Sequence, residues 1–210
     1  MAKQQIQFEG LSFDPRELGR LIAEEVTNPP GICFYPGGFK PPHKGHFKAA
    51  MDLASRNYIT EVNIIISQKE KDGITPEDSL KVWMMYLEAS PSPKINVRLS
   101  EATSPIQDIF NYLKTAQSGE TVYVVGGDDE RDDQEYLKSI QTRYPNNVKT
   151  ISITEKDGKI AAPYVRGLLD TGDYESFAQT IPEAAYNKGM APKIFKLLVP
   201  TKAQTQDGQG

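Results

Sequence analysis

The chemistry-bearing residues of this chain gather in one short stretch, Tyr35-Pro36-Gly37-Gly38-Phe39-Lys40-Pro41-Pro42-His43-Lys44-Gly45-His46. His43 and His46 are the only two histidines in 210 residues. At a spacing of i, i+3 in a first helical turn they project to one side and present ring N–H donors together. Gly37 and Gly38 let the backbone turn tightly and approach a ligand, Pro41 and Pro42 stiffen the passage, and Gly45 keeps the way to the backbone clear. A helix start supplies free N–H groups with a partial positive charge, so phosphate is the natural guest. Lys40, Lys44 and Lys48 add positive charge, and Lys40 is the one expected to reach the ligand. A zinc site would need third and fourth ligands at motif spacing, which are missing. The plain alternative is two ordinary helix-terminal histidines.

The elements that would position this stretch can be read on either side of it. Five short runs rich in β-branched residues, Gly31 to Tyr35, Glu61 to Ser67, Lys94 to Leu99, Thr121 to Val125 and Val148 to Ile153, predict strands. The intervals between them carry helical periodicity: Phe47, Ala50, Met51, Ala54; Leu80, Trp83, Met84, Leu87; Ile106, Ile109, Phe110, Leu113; and Tyr136, Leu137, Ile140. Thr75 and Ser104, each followed by proline, are start signals. Strand and helix in alternation predict an α/β fold, a Rossmann-like five-stranded parallel sheet with helices on both faces and right-handed crossovers. In such sheets ligands bind beyond the carboxyl ends of the strands, where the histidine stretch begins. The organisation expected is an N-terminal helical extension over 1–30, with a helix capped by Asp14, then a main domain over 31–182. A C-terminal helical segment over 183–200 and a disordered polar tail over 201–210 complete it.

Composition narrows the function classes. No apolar run reaches the ~18 residues of a membrane span, and the first ten residues lack a secretory signal's pattern, which implies a soluble, cytoplasmic protein without a membrane partner. One cysteine, Cys33, cannot build a disulfide framework or a thiolate zinc site, and its run reads as core. With 24 Lys+Arg against 28 Asp+Glu and a net charge of -4, no nucleic-acid partner is expected. Small anionic ligands need only a local positive cluster, and Lys69 and Lys71 could meet one.

Gly38-Phe39-x-Pro41-x-His43-x-Gly45-His46 resembles the GxFxPxHxGH signature of the cytidylyltransferase-like nucleotidyltransferases, a superfamily that includes the class I aminoacyl-tRNA synthetases. A second family element, ISSTxVR followed by Gly-Asp and a later Pro, is similar to Ile160 to Arg166 with Gly172-Asp173 and Pro182. Val165 and Arg166 fit it, whereas Ala161, Ala162 and Pro163 replace both serines and the threonine. The resemblance spans roughly Gly31 to Pro182. It implies catalytic roles for His43, His46 and Arg166, and nucleotide contacts from Gly37, Gly38, Phe39, Lys40, Gly45 and Val165. The loop holding Gly126 and Asp128 would lie beside the nucleobase or second substrate. It also implies Mg²⁺ as companion of a triphosphate and no protein-held metal.

The reaction implied is transfer of a nucleoside monophosphate from ATP or CTP to a small phosphate-bearing acceptor, with pyrophosphate leaving. The likeness is nearer to nicotinamide-mononucleotide adenylyltransferases and cytidylyltransferases than to synthetases, which need an anticodon-binding domain. ATP and CTP stay open, as does oligomeric state. The alternative is a catalytically weak nucleotide-binding or structural protein that kept the phosphate loop, which the altered second element motivates. For Arg166 the competing reading is a structural ion pair, and for the run Asp128 to Asp133 it is helix capping.

Overall fold

Alternation of apolar residues decides how the strands sit. In Gly31–Gly37, Cys33 and Tyr35 belong to one core cluster and Phe34 to another, and in Ile59–Ile66 the side chains of Ile64 and Ile66 face away from that of Ile65. Each strand therefore buries both faces, as a parallel sheet covered on two sides requires. The structure is a computed structural model that describes residues 6–8, 11–13, 28–117, 119–127, 131–153 and 160–199. A fully buried isoleucine such as Ile64 or Ile66 contributes roughly 1.5–3 kcal/mol.

In chain order the elements are β1 (Ile6–Phe8), β2 (Leu11–Phe13), β3 (Gly31–Gly37), α1 (Lys44–Ala54), β4 (Ile59–Ile66), α2 (Pro76–Ala89), β5 (Ile95–Leu99) and α3 (Pro105–Thr115). There follow β6 (Thr121–Gly127), α4 (Arg131–Arg143), β7 (Val148–Ile153), α5 (Ala162–Thr171), α6 (Tyr174–Ala178), α7 (Glu183–Asn187) and α8 (Ala191–Leu198). The first two strands pair antiparallel, Ile6 opposite Phe13. The other five form a parallel sheet in the order β5-β4-β3-β6-β7. Helices α1 and α2 pack on one face, where Phe47, Ala50, Val82 and Trp83 join the larger core cluster. On the other face Ile109 and Leu113 of α3 and Leu137 and Ile140 of α4 fill the second. The chain runs outward from β3 over one face, returns across the other, and so leaves a crevice at the carboxyl ends of β3 and β6.

Local signals account for the helix starts. Thr75 Oγ1 accepts the N–H of Asp78 at 3.1 Å, and Ser104 Oγ accepts that of Gln107 at 3.2 Å. The helix expected from Asp14 and the tail from Thr201 lie outside the described residues. The paired strands β1 and β2 were not expected. The buried face of α2 is also corrected: Ser79, Val82, Trp83 and Tyr86 are inward, while Met84 is 54% exposed. Trp83 and Tyr86 pack against Phe47, and Trp83 also against Phe39, so the aromatic floor of the histidine loop sets this rotation. Among the described residues no helix is long and apolar enough to cross a membrane.

Candidate functional site

At the end of β3 the chain is forced into an unusual conformation by its own aromatic packing. Phe39 has φ 51°, a left-handed conformation that costs a non-glycine residue about 1–2 kcal/mol. Its ring is buried edge-to-face against Tyr35 at 5.2 Å, His46 at 5.0 Å and Trp83 at 5.5 Å. Such pairs contribute about 0.5–1.5 kcal/mol each beyond area burial, enough to hold the strain. A Cβ on Gly37 would stand 2.7 Å from the Phe39 ring, so Gly37 is needed for this fold-back. Gly38 has open space around its Cβ direction and lines the cavity.

The two histidines close the start of α1. His43, at the cap position, accepts the Gly45 N–H on Nδ1 at 3.2 Å, and His46 Nδ1 accepts the His43 N–H at 3.3 Å. The rings stack with centroids 3.7 Å apart. With Nδ1 accepting in both, each neutral ring carries its proton on Nε2. Burial lowers the His43 pKa to about 4, and burial with neighbouring His43 holds His46 well below the usual histidine value. At neutral pH the pair therefore consists of two uncharged N–H donors. Among the described residues His43 Nε2 is buried without a hydrogen-bond partner. A buried donor of that kind at a cavity wall is costly unless a ligand accepts from it.

The backbone N–H groups expected to be free for phosphate are already used. Lys44 N–H donates to Thr180 O at 2.8 Å, and Gly45 N–H goes to His43. The two ring Nε2–H groups belong to the same helix start, and both histidines line the adjoining cavity. The start of α5 differs: its cap residue Ala161 makes no side-chain bond, and Ala161, Ala162 and Pro163 line the cavity. Its positive dipole end thus borders the same space.

That cavity, about 520 Å³, brings together Gly38, Phe39, Lys40, His43, His46, Ser67, Lys69, Glu70, Lys71 and Arg166. Lys40 is 4% exposed and donates from Nζ to Gly38 O at 2.9 Å and Ser67 O at 3.1 Å, tying the ends of β3 and β4 together. Burial lowers its pKa to about 8, against the opposing pull of Glu77. Arg166 is also buried, donating from Nη1 to Lys40 O at 2.7 Å and from Nε to Asp72 Oδ2 at 2.5 Å. Asp72 carried no site signal in the sequence. Asp72-Gly73 reads as a turn, and nothing local ties it to a residue so distant in the chain.

Other expected contacts fall elsewhere. Val165 is fully buried in the core and its N–H serves the helix, bonded to Ala161 O at 3.2 Å. Gly126 is shaped by packing, since a Cβ there would lie 2.8 Å from Leu137 Cδ1 on α4. Gly45 acts through its N–H on His43. Asp128 lies outside the described residues.

No family model matches the sequence, and no curated protein does. Solved structures do. A Plasmodium falciparum nicotinic acid mononucleotide adenylyltransferase complexed with APC aligns over 80% of this chain and 98% of its own, at 16% identity and TM-score 0.55. A Francisella tularensis bifunctional NMN adenylyltransferase/ADP ribose pyrophosphatase aligns over 80% of this chain at 17% identity and TM-score 0.54. The matched part is 52% of that protein, so the chain spans about half its length. The chain has the Rossmann-like α/β fold of these mononucleotide adenylyltransferases.

Proposed function

We propose that this protein is a nucleotidyltransferase that moves a nucleoside monophosphate from ATP or CTP to a small phosphate-bearing acceptor. The observation that carries the reading is the pair of neutral imidazoles, both Nδ1 atoms bound to backbone, with buried His43 Nε2 unpartnered at the cavity wall. An acceptor phosphate oxygen attacks the α-phosphorus in line, the bond from that phosphorus to the bridging oxygen breaks, and pyrophosphate departs with its electrons. The acceptor is already an anion, so no general base is needed. Neither histidine could serve as one, because Nε2 is protonated and Nδ1 is committed. His43 and His46 donate to oxygens where charge gathers, which is electrostatic stabilisation by preorganised donors. Arg166, Lys40, Lys69, Lys71 and the start of α5 surround the β- and γ-phosphates with positive charge. In this reading Mg²⁺ accompanies the triphosphate as its counter-ion. A cytoplasmic setting accords with a lone cysteine kept in the core.

A second reading is favoured by one feature. Ala161, Ala162 and Pro163 offer no hydroxyl to a phosphate, as expected of a nucleotide binder that has lost turnover. The two separate in one experiment: binding of nontransferable ATP and CTP analogues, and pyrophosphate release from ATP and CTP with a panel of phosphate monoesters. The panel includes nicotinic acid and nicotinamide mononucleotides, suggested by the structural neighbours. Binding with release supports the enzyme, binding without release the binder, and no binding removes both.

A further inference from the structure

Arg166 is the one cationic side chain that α5 brings to the cavity, and the bonds its guanidinium makes among the described residues go to partners outside its own helix. The residues that open α5 are Ala161, Ala162 and Pro163, none with a polar side chain. An arginine left to itself has many rotamers, and a phosphate that must order it loses affinity accordingly. The anchors come instead from across the cavity. Lys40 O, beyond β3, takes an Nη1 proton, and Asp72 Oδ2, beyond β4, takes the Nε proton.

Asp72 is itself held in place. It and Gly73 have φ of 51° and 76°, the left-handed pair of a two-residue hairpin turn, and Lys71 and Ile74 exchange N–H···O bonds of 3.2 and 3.0 Å across it. Ile74 is buried and pins the turn to the core. Glycine would adopt this conformation without strain, so what aspartate adds is its carboxylate on Arg166. The side chain of Asp72 is 56% exposed while that of Arg166 is 10% exposed. The carboxylate thus reaches inward from the rim. Its grip uses Nε alone, and with Lys40 O on Nη1 the contacts among the described residues leave three of the five guanidinium N–H groups for a ligand.

We propose that Asp72 is a positioning residue for Arg166, holding the guanidinium across the cavity so that its remaining N–H groups meet a phosphate of the bound nucleotide. The inference rests on the nucleotidyltransferase reading and adds to it a residue from the loop after β4. A competing role is that Asp72 merely occupies Arg166 and must be displaced. The two make opposite predictions for affinity.

The test titrates the full chain with inorganic tripolyphosphate and with a nontransferable ATP or CTP analogue, following heat. The proteins are wild type, Asp72→Gly, Asp72→Asn, Arg166→Ala and the double variant Asp72→Gly/Arg166→Ala. Asp72→Gly relieves the backbone while removing the carboxylate, so its effect is not that of a damaged turn. Because Asp72 is partly exposed, a loss of about three- to tenfold in affinity is expected for Asp72→Gly, with Asp72→Asn regaining part through its amide oxygen. The double variant should bind as Arg166→Ala alone does. Tighter or unchanged binding by Asp72→Gly overturns the proposal, as does a loss that persists in the Arg166→Ala background. Wild-type protein that binds neither probe removes the nucleotide reading itself and this role with it, an outcome distinct from the other two.

Discussion

His46 Nδ1 accepts the main-chain N–H of His43 at 3.3 Å while the two rings stack 3.7 Å apart, so each histidine helps fix the other where α1 begins. The capping arrangement that serine and glutamate provide at many helix starts is made here by two imidazoles. In the proposed reaction capping and catalysis are thereby coupled, because the nitrogen that caps dictates which nitrogen carries the proton.

His46→Ala should lower turnover by about a hundred- to a thousandfold, the value of one preorganised donor at roughly 2.7–4 kcal/mol, while weakening triphosphate binding less. Steady-state pyrophosphate release set beside calorimetric binding checks the split. Nitrogen-15 spectra of the wild type should also show both rings in the Nε2–H form at pH 7. Nδ1–H tautomers would contradict the capping geometry.

Stability should fall in acid because of the same pair. Burial puts the His43 pKa near 4, below its unfolded value of about 6.5, so between those values the unfolded chain binds more protons. The contribution is complete above pH 6.5 and is lost progressively as pH falls to 4, on the order of 3 kcal/mol from His43. His46 is shifted in the same direction. Urea unfolding at stepped pH should show a decline starting near pH 6.5, and His43→Asn, which can still cap through its side-chain oxygen, should flatten part of it.

Much of this arrangement was legible in the sequence because its causes are local. Alternating β-branched runs mark strands, and Thr75-Pro76 and Ser104-Pro105 mark helix starts without help from distant residues. Spacing also put His43 and His46 side by side. Pairings between distant segments were not legible. The Lys44 N–H is taken by Thr180 O, Arg166 by Asp72, and the Phe39 ring by Trp83 on another helix. The rotation of α2, with Met85 inward and Met84 outward, follows from that aromatic contact and not from its own periodicity. The short antiparallel strands β1 and β2 do have alternating residues, Ile6-Gln7-Phe8 and Leu11-Ser12-Phe13, but three residues are too few for a periodic signal to stand out.

Phe39 should prove a structural residue of the site. Truncation to alanine removes three edge-to-face contacts and leaves a void beside Trp83, a loss of about 3–5 kcal/mol. Phe39→Leu should lose less stability, yet both variants should lower turnover because His46 loses the ring it leans on. Urea midpoints and turnover measured on the same preparations check this. Full activity in a destabilised Phe39→Ala protein would separate the ring from the positioning of His46.

Lys40 should set an alkaline limb in the rate. Its ammonium is buried between Gly38 O and Ser67 O with a pKa of about 8, and on deprotonation the cavity loses a positive charge from its floor. The rate at limiting triphosphate should therefore fall above about pH 8. The titration of Lys40 does not itself unfold the protein: with the folded pKa below the unfolded value of about 10.4, the unfolded chain holds more protons between pH 8 and 10.4, and Lys40 stabilises the fold as pH rises through that window. Melting temperatures recorded alongside the rates distinguish the two effects. Lys40→Arg keeps its charge at every pH tested, so a folded Lys40→Arg protein should lose the limb, whatever its overall rate. A limb that persists there unchanged would belong to another group and would remove Lys40 from the electrostatics of the reaction.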